Sequence, residues 1–250
     1  MTYIKTTDWL TEVSRGNVTG AIRLNKSGWN HDIDTGTSED LWDGTNTWVA
    51  PTADRVHSIV STNTNDTAAG TGARTLFVRG ISNGVITTET VSLNGTTPVN
   101  TVNAYSIIDY MYINTVGSGA TNAGVITATS AVDATVTAQI NVDNTNQTQM
   151  AITQVPNGYN YYLYNWACDM YNSNASSSCE VWLQTKLNSG APWLTRRISF
   201  LSNSGSSNKM EEFEPPLVIP EGAYVKIRAG EVSNNNTKVS GYFNGVLIAI

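Results

Sequence analysis

The sequence predicts an all-β protein: a β-sandwich or jelly-roll-like C-terminal domain, preceded by a smaller β domain and an extended N-terminal arm. Three observations predict it. First, Asn, Ser, Thr and Gly make up about four residues in ten. Thr with Val favours strands through stiff side-chain torsions, while Asn and Gly supply the backbone conformations that turns need. Second, short apolar-polar alternations recur from Arg55 onward, with turn residues between them at about the spacing of a sandwich. Third, no convincing helical periodicity occurs in the second half.

Taken in order, residues 1–50 read poorly as regular structure. Thr6–Val13 could form one short helix, with Asp8 near its start. Turn-rich pieces follow at Asn25–Gly28, Asp34–Gly36 and Asp43-Gly44, punctuated by Trp9, Trp29, Trp42 and Trp48. Four indoles without periodicity must still be buried. An arm docked on a neighbouring molecule would do it, as would an irregular cap on its own domain. Strands are then expected at Val56–Val60, Arg74–Ile81 and Val85–Leu93. Asn83-Gly84 between the last two is the strongest short-range hairpin signal. Thr97–Thr101, Ala104–Asn114 and Val125–Ser130 follow. Further strands are Ala134–Val142, Thr148–Val155, Tyr159–Tyr171, Ser178–Leu187, Trp193–Leu201, Met210–Glu214, Tyr224–Ala229 and Val239–Ile250. Pro215-Pro216 is read as a separator. The division expected is 1–50 as arm or anchor, 51–130 as a β-rich domain and 131–250 as the jelly-roll-like sandwich.

Bulk properties exclude several roles. The net charge is -6, only 14% of residues are charged and no basic stripe exists, so nucleic acid is not an expected partner. No apolar run approaches a membrane span and no signal peptide is recognisable, so synthesis in a host cytoplasm is expected and the Asn-x-Ser/Thr sequons predict no glycan. Cys168 and Cys179 fit no zinc spacing. They read as reduced thiols, although a cross-strand disulfide is conceivable if their segments pair.

The case for chemistry is thin. His57 with Asp54 or Asp66 and a serine would be needed for a triad, and no nucleophile elbow is present. Glu211, Glu212 and Glu214 lie on one segment, as expected of an edge strand kept from aggregating by charge. Asp32 and Asp34 before Gly36 are the one calcium candidate. They lack further ligands at loop spacing, so a plain Asx-turn is the reading and no metal or cofactor is expected. Gly70-Thr71-Gly72 lacks the lysine and helix of a phosphate loop. Aromatic residues point instead to contact surfaces. On Tyr159–Trp166, alternation puts Tyr161 and Leu163 on one face and Tyr162, Tyr164 and Trp166 on the other. Trp182 and Trp193, with Tyr171, are candidates for stacking a sugar.

One stretch is distinctive. Ser61–Thr75, with Asp66-Thr67, Gly70-Thr71-Gly72 and Ala73-Arg74-Thr75, runs into Val78–Ile81 and then Glu89–Val99, after Leu41–Gly44 upstream. Together these resemble a family of structural proteins encoded by marine tailed phages, notably cyanophages. More loosely, Pro220–Gly222 and Tyr242–Ile248 also fit. The resemblance implies a non-enzymatic virion protein: a head decoration, vertex or tail component. It would form a homotrimer or other symmetric oligomer and contact major capsid or tail proteins. The alternative is a host-surface glycan-binding fibre or spike module.

Overall fold

In the computed structural model, residues 8–44, 46–205 and 207–250 are described. They form one helix, α1 (Trp9–Ser14), and strands β1 (Ala21–Ile33), β2 (Glu39–Asp40), β3 (Arg55–Ser61), β4 (Ala73–Ser82), β5 (Val85–Ser92), β6 (Val99–Tyr105), β7 (Ile107–Val116), β8 (Ile126–Ser130), β9 (Val136–Ile140), β10 (Ile152–Gln154), β11 (Tyr159–Tyr171), β12 (Ser178–Lys186), β13 (Leu194–Ser202), β14 (Asn208–Ile219), β15 (Tyr224–Val232) and β16 (Thr237–Ala249). The all-β expectation holds. Asn83 and Gly84 both adopt positive φ, 49° and 77°, as a type I′ hairpin requires, and β4 pairs with β5 around them.

Two sandwiches result. The larger has one sheet in the order β1-β16-β11-β14 and another in the order β10-β15-β12-β13, with β2 added to β15. Five of its connections, from β10 to β11 and onward, carry the chain from one sheet to the other, the winding of a jelly roll. Its core joins Tyr161, Leu163, Trp166 and Phe243 of the first sheet to Val181, Leu183, Val225 and Ile227 of the second. The smaller sandwich has sheets β6-β3-β8-β9 and β5-β4-β7, around Ile59, Leu76, Val78, Met111 and Ile126.

The expected divisions at residues 50 and 130 need correction. β1 pairs along its length with β16, so residues 21–33 are an integral strand of the larger sandwich and not an arm. β9 pairs with β8 and belongs to the smaller one. The smaller sandwich is therefore an insertion between β2 and β10. Of the expected helix, the residues before Asp8 lie outside those described; α1 packs Val13 against Val246 and Tyr164 on the outer face of the first sheet. The run Ala104–Asn114 is not one strand. It breaks at Ser106, where the chain leaves the β3 sheet for the β4 sheet. Nor do Pro215 and Pro216 end a strand: β14 is a sheet edge, where proline's missing N–H leaves no ladder bond unmade.

Buried charges pin the two sandwiches together. Asp109 of β7 accepts from Arg79 of β4 at 3.1 and 3.2 Å and from Thr153 of β10 at 2.6 Å. Lys26 of β1 donates to the Asp109 carbonyl. Burial alone would raise the Asp109 pKa, but Lys26 and Arg79 more than offset it and hold the carboxyl below its ordinary range. Around this network an apolar cluster takes Ile81 and Ile107 from the smaller sandwich, Met150, Ile152 and Tyr224 from the larger, and Trp42 and Trp48 from the linking loop. Within the larger sandwich, Asp40 pairs with fully buried Lys226 at 2.7 Å and accepts the Trp48 backbone N–H at 2.8 Å.

The distinctive Ser61–Thr75 stretch also folds around one carboxylate. Asp66 is fully buried. It accepts from the backbone N–H groups of Ala73 (2.8 Å), Ala123 (2.8 Å) and Gly124 (2.9 Å) and from the Ser61 hydroxyl (2.6 Å). Gly72 is required because a Cβ there would strike the Asp66 carboxylate. Replacing Asp66 would strand several buried donors. We expect Asp66→Ala to lower unfolding free energy by about 3 kcal/mol or more. Asp66→Asn should be nearly as harmful, since an amide NH2 would face N–H donors. Urea denaturation of both variants checks this; a loss under about 1 kcal/mol would contradict it.

Candidate functional site

The residues expected at contact surfaces separate into three groups. The first is internal. Trp42 and Trp48 are buried at the junction, their indole N–H groups donating to the carbonyls of Asn46 and Thr137 at 2.9 Å each. They are intramolecular glue, which corrects their assignment to an anchor. Trp166 is corrected too. Tyr164 is an extra residue in β11, because Leu163 faces Gly245 and Asn165 faces Asn244. That bulge switches the inward face from odd to even residues, so Trp166 joins Tyr161 and Leu163 in the core. Tyr162 and Tyr164 stay on the outer face, where α1 partly covers Tyr164.

The second group lies on separate surfaces. Trp9 on α1 is exposed. Trp193 folds over two lysines, with Lys226 Nζ 4.2 Å and Lys186 Nζ 5.2 Å from its ring centre. Trp182 lies on the outer face of the second sheet against Gly230, and exposed Tyr171 ends β11 in the other sheet. Tyr171, Trp182 and Trp193 therefore do not form the single sugar-stacking patch expected of them.

Trp182 instead has apolar neighbours. In register, Ile198 of β13 lies opposite Trp182 and Phe200 opposite Glu180. Ile198 is 49% exposed and Phe200 73%. β13 is a sheet edge, so among the described residues its outward backbone groups pair with no further strand.

The third location is a groove of about 510 Å³ between the sandwiches, lined by Trp29, His31, Asp43, Gln139, Asn141 and Asp143 among others. Trp29 and His31 alternate along β1, so they share a side, with ring centres 6.0 Å apart. Asp43 accepts the Gln149 backbone N–H at 2.8 Å and the Asn141 side-chain amide at 3.3 Å. Burial pushes its pKa up to about 7, against the Gln149 bond and with help from Asp143. The Trp29 indole N–H lies close enough to favour the ionised carboxyl but lacks a fully formed hydrogen bond. One Asp143 oxygen accepts from the Thr145 N–H and hydroxyl at 3.0 and 2.7 Å. The other, Oδ2, is buried with no hydrogen-bond partner among the described residues. The sequence reading singled out Trp29 and Asp32 here, each for another role, because the facing wall at Gln139, Asn141 and Asp143 comes from a distant segment.

The weaker chemical candidates have structural occupations. Asp34 accepts the Asn236 N–H at 3.1 Å beside a turn with Gly36 at φ 77°, and Asp32 donates its own N–H to Asn30. Among the described residues no three His, Cys, Asp or Glu side chains gather as they would around a metal ion. His57 is buried, its Nδ1 2.9 Å from the Arg55 carbonyl, and burial lowers its pKa to about 4. Asp66, its notional triad partner, is committed to the Ser61–Thr75 loop. Glu211, on the β14 edge, pairs with Arg197 at 2.5 Å. Cys168 and Cys179 are free, and their strands belong to opposite sheets and do not form a hairpin. Burial pushes the thiols up to about 11 and about 12. No helix among the described residues is long and apolar enough to cross a membrane.

No known protein family matches the sequence, and no curated protein matches it. Among solved structures, one titled "Structure of infectious bursal disease virus Gt strain" aligns with 92% of this chain and 73% of its own, at 12% identity and a TM-score of 0.23. A likeness that weak bears on neither fold detail nor function.

Two outcomes follow from the buried groups. Asp43 ionises near pH 7 when folded but near its ordinary 3.8 when unfolded, so rising pH between those values weakens the fold. His57 acts oppositely: at about 4 folded against 6.5 unfolded, its effect strengthens the fold as pH rises through that window. Asp43→Asn removes only the first effect. Its urea midpoint should climb relative to the parent from pH 4 to pH 7, and parallel midpoint curves would refute the burial argument. The two thiols, protonated and enclosed, should resist a thiol-reactive dye at pH 8 until denaturant is added.

Proposed function

We propose that this chain is a non-enzymatic structural protein of a tailed-phage virion, an outer head, vertex or tail component acting through assembly contacts. Its partners are further copies of itself, as a homotrimer or other symmetric oligomer, and neighbouring virion proteins such as the major capsid or tail proteins. The resemblance of Ser61–Val99 to phage structural proteins supports this reading. The observation that carries it is the β13 edge: a strand paired on one side only, bearing exposed Ile198 and Phe200 next to Trp182. An apolar patch on an open edge invites another chain, and Arg197, engaged by Glu211, leaves Ile198 and Phe200 uncovered. His57 and Asp66, locked into the smaller sandwich, support the non-enzymatic part.

Light scattering on the purified chain tests the proposal. A stable symmetric oligomer is expected. Phe200→Asp together with Ile198→Asp should reduce it to monomer with melting temperature nearly unchanged, since both side chains are exposed. A parent chain that stays monomeric across the micromolar range would overturn the assembly reading, and a variant that stays oligomeric would move the contact off β13.

A further inference from the structure

The junction groove has the makings of a recognition site that assembly does not require. Its wall of Trp29 and His31 presents two aromatic rings on one side of β1. Facing it are amides and acids already oriented by each other. Gln139 Nε2 donates to the Asp43 carbonyl at 2.9 Å and to Asn141 Oδ1 at 2.7 Å, and Asn141 Nδ2 turns to the Asp43 carboxyl. Asp143 Oδ2 has no donor among the described residues and is enclosed in the wall, so a ligand hydroxyl meets it by a turn of the half-buried Asp143 side chain toward the groove.

Several ligand classes fit poorly. The acidic lining repels phosphates and other anions. A divalent cation would want more converging carboxylates than the described residues bring together. A pyranose fits on both counts. Its C–H face packs on aromatic rings, and its neighbouring hydroxyls each donate and accept, as carboxylate and amide pairs require. The lining is not uniformly anionic either, because Lys238 is at the groove and burial favours the protonated form of Asp43.

We propose that this groove binds carbohydrate: a neutral or amino hexopyranose stacked on Trp29 and His31, with its hydroxyls read by Asp143, Asn141 and Gln139. The site uses residues from both sandwiches, so it exists only when they are joined. It stands independently of the β13 contact.

The test is a glycan array carrying neutral, amino, sialylated and uronate-bearing glycans, probed with the full chain and followed by saturation-transfer NMR on any positive glycan. A lysine-rich peptide serves as a second probe. Neutral or amino glycans should bind. Asp143→Asn and His31→Ala should each weaken binding about tenfold while leaving the circular dichroism spectrum and melting temperature in place. His31 is exposed and the Asp143 change is isosteric, so neither variant depends on the fold tolerating loss of the larger Trp29 ring. The proposal falls if no glycan binds the folded chain, if only acidic glycans do, if the peptide binds in their place, or if both variants bind as the parent does. The oligomeric state measured by light scattering reports separately on the assembly reading.

Discussion

The arrangement of this molecule depends on a small set of charges removed from water. Asp109, Arg79, Lys26 and Thr153 come from four strands, two in each sandwich. Neither Asp109 nor Lys26 could be buried alone, since an unpaired ion in the interior costs several kcal/mol. Each sandwich therefore completes the other's polar interior. Lys26 shows the strength of the constraint: burial draws its pKa down to about 8, with Asp109 opposing the fall. Trp42, Trp48 and Tyr224 then exclude water around the junction. What might have been two domains on a flexible linker is held as a single frame, and the groove between them inherits a defined shape.

That frame separates two kinds of surface. The junction groove is concave, aromatic and hydrogen-bonding, with its polar groups held by backbone and amide contacts. The β13 edge exposes Ile198 and Phe200 beside its arginines, with backbone groups turned outward. The first is suited to a small polar ligand and the second to another protein. A virion component that both assembles and touches a host surface would use them independently.

Local chemistry was legible and long-range chemistry was not. Asn83-Gly84 announced its hairpin because a type I′ turn needs only its own two residues. β11 was legible end to end, yet the face of Trp166 was not, because the bulge at Tyr164 is set by pairing with β14 and β16. β1 was missed for a different reason. Its inward positions include Lys26, Gly28 and Asn30, which read as polar or turn-forming. Gly28 is there because the backbone at Leu41 and Ala151 leaves no room for a Cβ. Lys26 and Asn30 are there because they answer charges and carbonyls elsewhere. Ser61–Thr75 was conspicuous as a pattern, but only the structure explains it, as a loop wound about the Asp66 carboxylate. The groove was illegible as a site even though Trp29 and Asp32 stood out singly, because its two walls, around Trp29 and around Asn141, lie about a hundred positions apart.

The pairing of β1 with β16 bears on how the chain comes to be folded at all. Ala21 finds Ile248, and Trp29 finds Ser240, more than two hundred residues later. The inserted sandwich emerges from the ribosome whole and can close on its own local hairpins. The first strand of the larger sandwich must wait, its edges unpaired, until β16 is made. Closing so long a loop is slow, because the entropy of bringing the ends together is lost before any contact rewards it. Folding of this chain is thus ordered from the inside of the sequence outward. The interval before β16 arrives is when the nascent molecule is most open to mispairing, through the strand edges that β16 will cover.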